Sequence, residues 1–271
     1  MPITLHTTNT FVGYNYPIKE AQVLFLGVPF VSTSISKPAL YGPVMVRESL
    51  KYFNGNHNKV DVFEKLRFCD LGEIDIVAGN YEKTAERIHD TVAEVKNENK
   101  EIFPIFIGGE HLVTLPITEA LKPKTIIQFD SHPDLTPVYQ ESVVHSHATW
   151  AYHASKLAKL IQIGVTNYME EDDPAIKENG VVVINTLEDL EKSKLEKPIH
   201  LSIDVDVLKP VHVETGFPEG KMEPEQLFAF LEKIECDSLD IVEIADDRLP
   251  SKTGFLAAEI IMRVLAKRFR F

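Results

Sequence analysis

A chain of 271 residues has room for one large α/β domain or two small ones. Its hydrophobic share of 44% and charged share of 25% are ordinary globular usage, which excludes disordered and fibrous architectures. With 28 basic and 41 acidic side chains the net charge is −13, so the chain repels phosphate backbones and nucleic acid is excluded as a natural partner. The two cysteines, Cys69 and Cys236, lie in apolar stretches and read as buried, reduced thiols. Met1-Pro2-Ile3-Thr4-Leu5-His6 has no basic stretch ahead of an apolar core, and no apolar run reaches the roughly 18–20 residues of a membrane span. The expectation is a cytoplasmic protein with no membrane partner.

In chain order, strand-like runs fall at Ala21–Val28, Arg67–Ile74, Glu101–Gly108, Thr125–Asp130, Leu160–Val165, Val181–Thr186, Ile199–Asp206 and Leu239–Ile244. Most are continuously apolar, as expected of strands buried on both faces of a parallel sheet. Amphipathic helical patterns lie between them at Tyr81–Asn97, Leu112–Leu121, Glu223–Ile234 and Thr253–Phe269. The acidic run Glu170-Glu171-Asp172-Asp173-Pro174 reads as a solvated loop or helix start. No linker, composition break or fixed-period repeat interrupts the pattern. The prediction is one domain over residues 1–271, an α/β fold with helices on both sides of a mostly parallel sheet of about eight strands.

Ligands of open parallel sheets bind outside the carboxyl ends of the strands, so those ends are where chemistry is sought. The run Ile105–Gly109 leads to Glu110-His111, and Ile126–Phe129 leads to Asp130-Ser131-His132-Pro133-Asp134. The run His200–Ile203 leads to Asp204-Val205-Asp206, and Asp240–Val242 leads to Glu243. In extended chain a spacing of two keeps side chains on one face, so Asp130, His132 and Asp134 can converge, as can Asp204 and Asp206. Four aspartates crowded at one sheet edge must take up protons or cations. Two divalent ions answer that demand, since carboxylates bridge metals about 3.5–4 Å apart. Mixed oxygen and imidazole donors suit manganese better than zinc.

Gly108-Gly109-Glu110-His111, Asp130-Ser131-His132-Pro133-Asp134 and Ser202-Ile203-Asp204-Val205-Asp206 resemble the three signatures of the arginase/agmatinase/formiminoglutamase ureohydrolases, most nearly the agmatinase form. Leu26–Phe30, Gly42–Arg47, Asp70–Ile74 and Val242–Ile244 match the same family, so the resemblance covers nearly the whole chain. It implies the three-layer αβα arginase-like fold. It implies two Mn2+ ions per subunit, one held by His111, Asp130, Asp134 and Asp204, the other by Asp130, His132, Asp204 and Asp206. A hydroxide bridging the ions would attack the guanidinium carbon, Glu243 would accept the guanidinium's hydrogen bonds, and His147 would carry the proton to the leaving amine. His145 is the rival for that last role. His153 reads as a surface or packing residue and Trp150 as helix packing. Relatives of this kind form trimers or hexamers, and a homo-oligomer is expected.

Departures from the family pattern surround the substrate. Lys209 stands where an acid is usual, Ala148 where glycine follows the catalytic histidine, Phe217 where threonine is common, and Thr166 where many relatives carry arginine. Thr136 replaces the asparagine with which arginases read an α-carboxylate, and Val143 and Val144 are apolar. A small cationic guanidino substrate lacking that carboxylate follows, with agmatine hydrolysed to putrescine and urea as the expected reaction. Arginase, guanidinobutyrase and formimidoylglutamase activity, a deacetylase-type amidohydrolase and a non-catalytic paralogue are the alternatives.

Overall fold

The computed structural model describes residues 5–6, 10–11, 13–34, 37–168 and 172–271. Its strands are β1 Leu5–His6, β2 Val23–Val28, β3 Asn56–His57, β4 Val60–Asp61, β5 Phe68–Ile74, β6 Phe103–Gly108, β7 Thr125–Phe129, β8 Lys159–Ile163, β9 Val182–Ile184, β10 Ile199–Asp204 and β11 Ser238–Val242. β3 and β4 form a separate hairpin, and the other nine make one sheet in the order β1-β5-β2-β6-β11-β10-β7-β8-β9. Every pairing in that sheet is parallel except the edge pair β1–β5. The eight parallel strands are the eight apolar runs of the sequence. β1 is an addition that two residues of pattern do not announce.

Central strands β2, β6, β7, β10 and β11 are buried along their whole length, which is why they read as unbroken apolar runs. One face of the sheet packs on helices Gly42–Leu50, Pro224–Leu231 and Lys252–Phe269. The opposite face packs on Tyr81–Glu98, Thr114–Leu121 and Trp150–Ala154. The result is the expected αβα sandwich. Asn80 and Ser251 cap the two long helices by accepting backbone N–H groups of Lys83 and Gly254, which explains their sharp N-terminal bounds. Of the acidic run 170–174, Glu170 and Glu171 lie outside the described residues, and a helix runs from Asp172 to Glu178. Both cysteines are buried and free. Among the described residues no helix is long and apolar enough to cross a membrane.

A buried ion pair ties the first helix to the sheet. The Arg47 guanidinium, only 1% exposed, grips Asp70 through Nε and Nη2 at 3.0 and 3.1 Å and reaches Glu73 at 3.0 Å. It also donates to the Gly72 carbonyl. Two motifs matched separately in the sequence, Gly42–Arg47 and Asp70–Ile74, are therefore halves of one contact. Removing one partner of such a pair costs about 3–5 kcal/mol, because the other is left as an uncompensated buried charge.

Candidate active site

The four central strands β6, β11, β10 and β7 are neighbours, and each delivers a charged or imidazole side chain at its carboxyl end. After β6 the chain turns through Gly109, where a Cβ would lie 2.1 Å from the Phe30 carbonyl oxygen, so no larger residue fits. The Gly109 carbonyl accepts the Glu243 N–H at 2.9 Å, and the Glu243 carboxylate accepts the His111 N–H at 3.0 Å. Glu243 has a left-handed φ of 63° and Asp134 one of 52°, conformations that non-glycine residues rarely hold without tertiary support.

The chain leaves the strand at Phe129, and Val205–Val207 is a single 3-10 turn. The alternation expected of Asp130–Asp134 and Asp204–Asp206 in extended chain therefore does not operate. Convergence comes instead from hydrogen bonds that pin each carboxylate. Asp130 Oδ1 accepts the His132 N–H at 2.7 Å, and Asp204 Oδ1 accepts the Asp206 N–H at 2.8 Å. Asp206 Oδ1 accepts from both the N–H and hydroxyl of Ser131 at 3.0 and 2.9 Å. Asp130 Oδ2 takes the Gln128 amide at 2.7 Å, and Gln162 donates to Gln128 at 2.8 Å.

These carboxylates also face two imidazoles. His111 Nδ1 has Asp130, Asp134 and Asp204 oxygens at 3.0, 3.3 and 3.3 Å. His132 Nδ1 has Asp206 at 2.9 Å and Asp130 at 3.6 Å. His111, Asp130 and Asp204 form one group able to hold a metal ion, and Asp130, His132 and Asp206 form another. Asp130 thus serves both, while Asp204 belongs to the first group and Asp206 to the second.

The donor set fits cations on a further observation. His111 Nδ1 is buried and makes no hydrogen bond despite its three neighbouring oxygens. On its other side Nε2 lies 3.0 Å from Ser202 Oγ, and that hydroxyl gives its own proton to Asp240 at 2.6 Å. One ring proton therefore sits on Nε2, and whenever Nδ1 carries none its lone pair looks at three carboxylate oxygens. Such an arrangement is repulsive until a cation stands between them.

Without a cation the cluster draws protons instead. Burial, with Asp206 and Asp130 close by, pushes Asp204 well above the usual carboxylate range; burial and Asp130 also raise Asp134 to about 6. Burial opposes charging of His132, but the hydrogen bonds it gives to Asp130 and Asp206 overcome it and lift the imidazole to about 12. Asp130 alone among the four falls below its ordinary value, because the two imidazoles outweigh its burial.

Seven of the eight residues singled out in the sequence, His111, His132, Asp134, His147, Asp204, Asp206 and Glu243, line one cavity of about 340 Å3. Asp130, the eighth, lies fully buried beneath them. Burial first, then the nearby His111 and His132, lowers His147 to about 4, so its imidazole is neutral at pH 7. Burial and the neighbouring Glu110 push Glu243 up to about 8. His145 stacks with Tyr81 and His153, each ring 5.0 Å away, and is not part of the cavity lining.

Two readings of single residues change. Trp150 is more than helix packing: fully buried, its ring lies 4.3 Å from that of His111 and its indole N–H donates to Asp134 at 2.8 Å. Lys209 does not take a place beside the acidic cluster but pairs outward with Glu223, which His212 also holds at 2.8 Å. No local pattern announces Tyr139, whose ring meets His147 edge-on at 5.0 Å, or the Ser202–Asp240 support beneath His111. Each depends on a partner distant in the chain.

The arginase family model matches residues 21–266. The chain belongs to the arginase family. Among curated relatives, an N(1)-aminopropylagmatine ureohydrolase of Thermococcus kodakarensis is 32% identical, with 98% of each chain covered. An agmatinase of Pyrococcus horikoshii is 31% identical, covering 93% of this chain and 94% of its own. The fold matches that of the agmatine ureohydrolase of Thermoplasma volcanium, with a TM-score of 0.84 at 20% identity over 98% of this chain and 96% of that one. This arginase-family protein is an enzyme, an agmatinase-like ureohydrolase.

Proposed function

We propose that the chain hydrolyses agmatine to putrescine and urea with two manganese ions per subunit. His111, Asp130, Asp134 and Asp204 would hold one ion, and Asp130, His132, Asp204 and Asp206 the other. Bound there, the ions would lower the pKa of water and supply a nucleophile near neutral pH. The observation that carries the choice of substrate is the cavity wall. Its described lining holds no lysine or arginine to take a substrate carboxylate, and offers Tyr139, Tyr168, Phe217 and Glu219 instead. Carboxylates and aromatic faces accommodate cations. A guanidinium at the floor and an ammonium at the mouth suit that lining better than arginine or guanidinobutyrate, each with its carboxylate.

Glu243 orients the guanidinium. Its raised pKa leaves it largely protonated in the empty site, and an incoming cation favours the carboxylate that accepts the guanidinium N–H groups. His147, neutral at pH 7, carries a proton to the amine as the C–N bond breaks. Its ring is fixed between Phe217, stacked at 5.9 Å and 22°, and the edge of Tyr139. Glu219, its side chain 56% exposed and one oxygen 3.7 Å from His132 Nε2, would take the distal ammonium at the rim. The rim position also leaves room for an N-extended agmatine, the substrate named for the Thermococcus relative. One ureohydrolase domain over residues 1–271, assembled as a trimer or hexamer in the cytoplasm, completes the proposal.

The test is urea release by the manganese-loaded enzyme from agmatine, N(1)-aminopropylagmatine, arginine, guanidinobutyrate and formiminoglutamate. Agmatine is expected to give the highest kcat/KM. A faster carboxylate-bearing substrate overturns the choice of substrate, and turnover of none overturns the whole proposal.

A further inference from the structure

Glu110, next to the metal-site histidine His111 in the chain, is fully buried and points away from the cluster. One of its oxygens, Oε2, accepts the backbone N–H groups of Ser32, Thr33 and Ser34 at 2.9, 2.8 and 3.1 Å. The other, Oε1, accepts the Thr33 hydroxyl at 2.9 Å. The same hydroxyl oxygen takes the His147 backbone N–H at 3.1 Å and lies 3.1 Å from His147 Nδ1. Residues more than a hundred positions apart in the chain thus meet in one hydrogen-bonded line from a buried acid to the imidazole of the cavity wall.

The direction of that line follows from counting protons. A threonine hydroxyl has a single proton, and an ionised carboxylate can only accept. Burial raises the Glu110 carboxyl and the three backbone N–H groups on Oε2 pull it back, and with Oε2 filled by these donors the Thr33 hydroxyl is the donor to Oε1. Thr33 therefore gives its proton to Glu110 and receives that of the His147 ring. We infer that Glu110 and Thr33 are positioning residues that hold His147 as the Nδ1–H tautomer, leaving Nε2 unprotonated for the cavity. The ring then takes up a proton only at Nε2 and returns it from the same atom, while Nδ1–H stays anchored. When the ring is charged, the buried carboxylate stabilises it through the hydroxyl, as a third group orients the base in other acid–base triads. His147's neighbours in the wall, Phe217 and Tyr139, touch it as ring faces and edges, so the Thr33 hydrogen bond is what distinguishes its two nitrogens.

This inference rests on His147 being the proton carrier, and the experiment separates the two. Protein labelled with 15N-histidine, metal-free and loaded with diamagnetic Mg2+, is observed by long-range 1H–15N correlation. In both forms His147 is expected as the Nδ1–H tautomer at neutral pH. Thr33→Val should mix in the Nε2–H tautomer and lower kcat of the manganese enzyme by about 10- to 100-fold, with KM changed less than about 2-fold. Thr33→Ser, which keeps the hydroxyl, should restore both the tautomer and kcat. Glu110→Gln, of the same size, should likewise release the tautomer; circular dichroism checks that each variant folds. An Nε2–H tautomer in the unmodified protein overturns the inference, since Thr33 would then be the donor to Nδ1. So does a Thr33→Val protein with unchanged tautomer and kcat. Full turnover by His147→Ala removes the catalytic role instead, leaving the tautomer result to judge the hydrogen-bond line alone.

Discussion

The floor of the cavity stands on four neighbouring strands, whereas its wall is assembled from loops around Thr33, Tyr139–His147, Asn167 and Phe217–Glu219. On the floor every aspartate has an oxygen tied by a hydrogen bond, and each turns an oxygen toward His111 or His132. In the wall the contacts are aromatic faces and one hydroxyl. The difference teaches where each property resides. Charge that must be placed within a few tenths of an ångström sits on strand ends locked by the sheet, and choice of substrate sits on loops that can differ without moving the floor.

The largest effect is expected on the floor. Asp130→Ala removes the one carboxylate that faces both imidazoles, so elemental analysis should find both ions lost and turnover should fall to background. Retention of both ions would show that Asp130 does not bridge. In the wall, His147→Ala should keep the metals and lower kcat by about 10²- to 10⁴-fold, while His145→Ala, outside the cavity lining, should stay within about 2- to 3-fold. Equal losses from the two variants would erase the distinction between them.

Acid should distinguish floor from wall without mutation. His111 and His132 are raised in the metal-free protein, so protons compete with metal for the same nitrogens. Metal affinity is therefore expected to weaken as pH falls from about 8 to about 6, with protons released on binding. Calorimetry in buffers of different ionisation enthalpy reads that release, and a pH-independent affinity would contradict it. Trp150→Phe preserves a ring beside His111 but deletes the donor to Asp134. Metal affinity should drop about 10- to 100-fold, and the void left by the smaller ring should lower the melting temperature by a few degrees. The smallest effect belongs to the rim, where Glu219→Gln should raise KM for agmatine about 3- to 10-fold with kcat unchanged. A change in kcat instead would place Glu219 with the floor.

Local pattern was enough for much of this. The eight parallel strands and four main helices were legible because each buries its own apolar residues, and burial is written into local periodicity. The first strand Leu5–His6 and the hairpin of β3 and β4 were not, since two-residue strands carry no period. The helices Val62–Lys65 and Leu187–Lys192 were missed for the same reason of length. All eight candidate site residues were named from the chain, yet the reason given for their convergence was incomplete. Asp130 to Asp134 leaves the strand, and the His132 N–H on Asp130 and the Trp150 indole on Asp134, not the pleat, hold those carboxylates.

The succession of strands and helices and the strand ends that carry the candidate ligands can be read along the chain, because these depend on neighbours in it. What only the tertiary structure decided is which side chains hold those groups in place. Arg47 on Asp70, Trp150 on Asp134, Ser202 and Asp240 beneath His111, and Glu110 with Thr33 behind His147 each join residues separated by 16 to 114 positions. Such pairs have no periodicity to betray them, and a buried polar group acquires its role only when the fold supplies its partner.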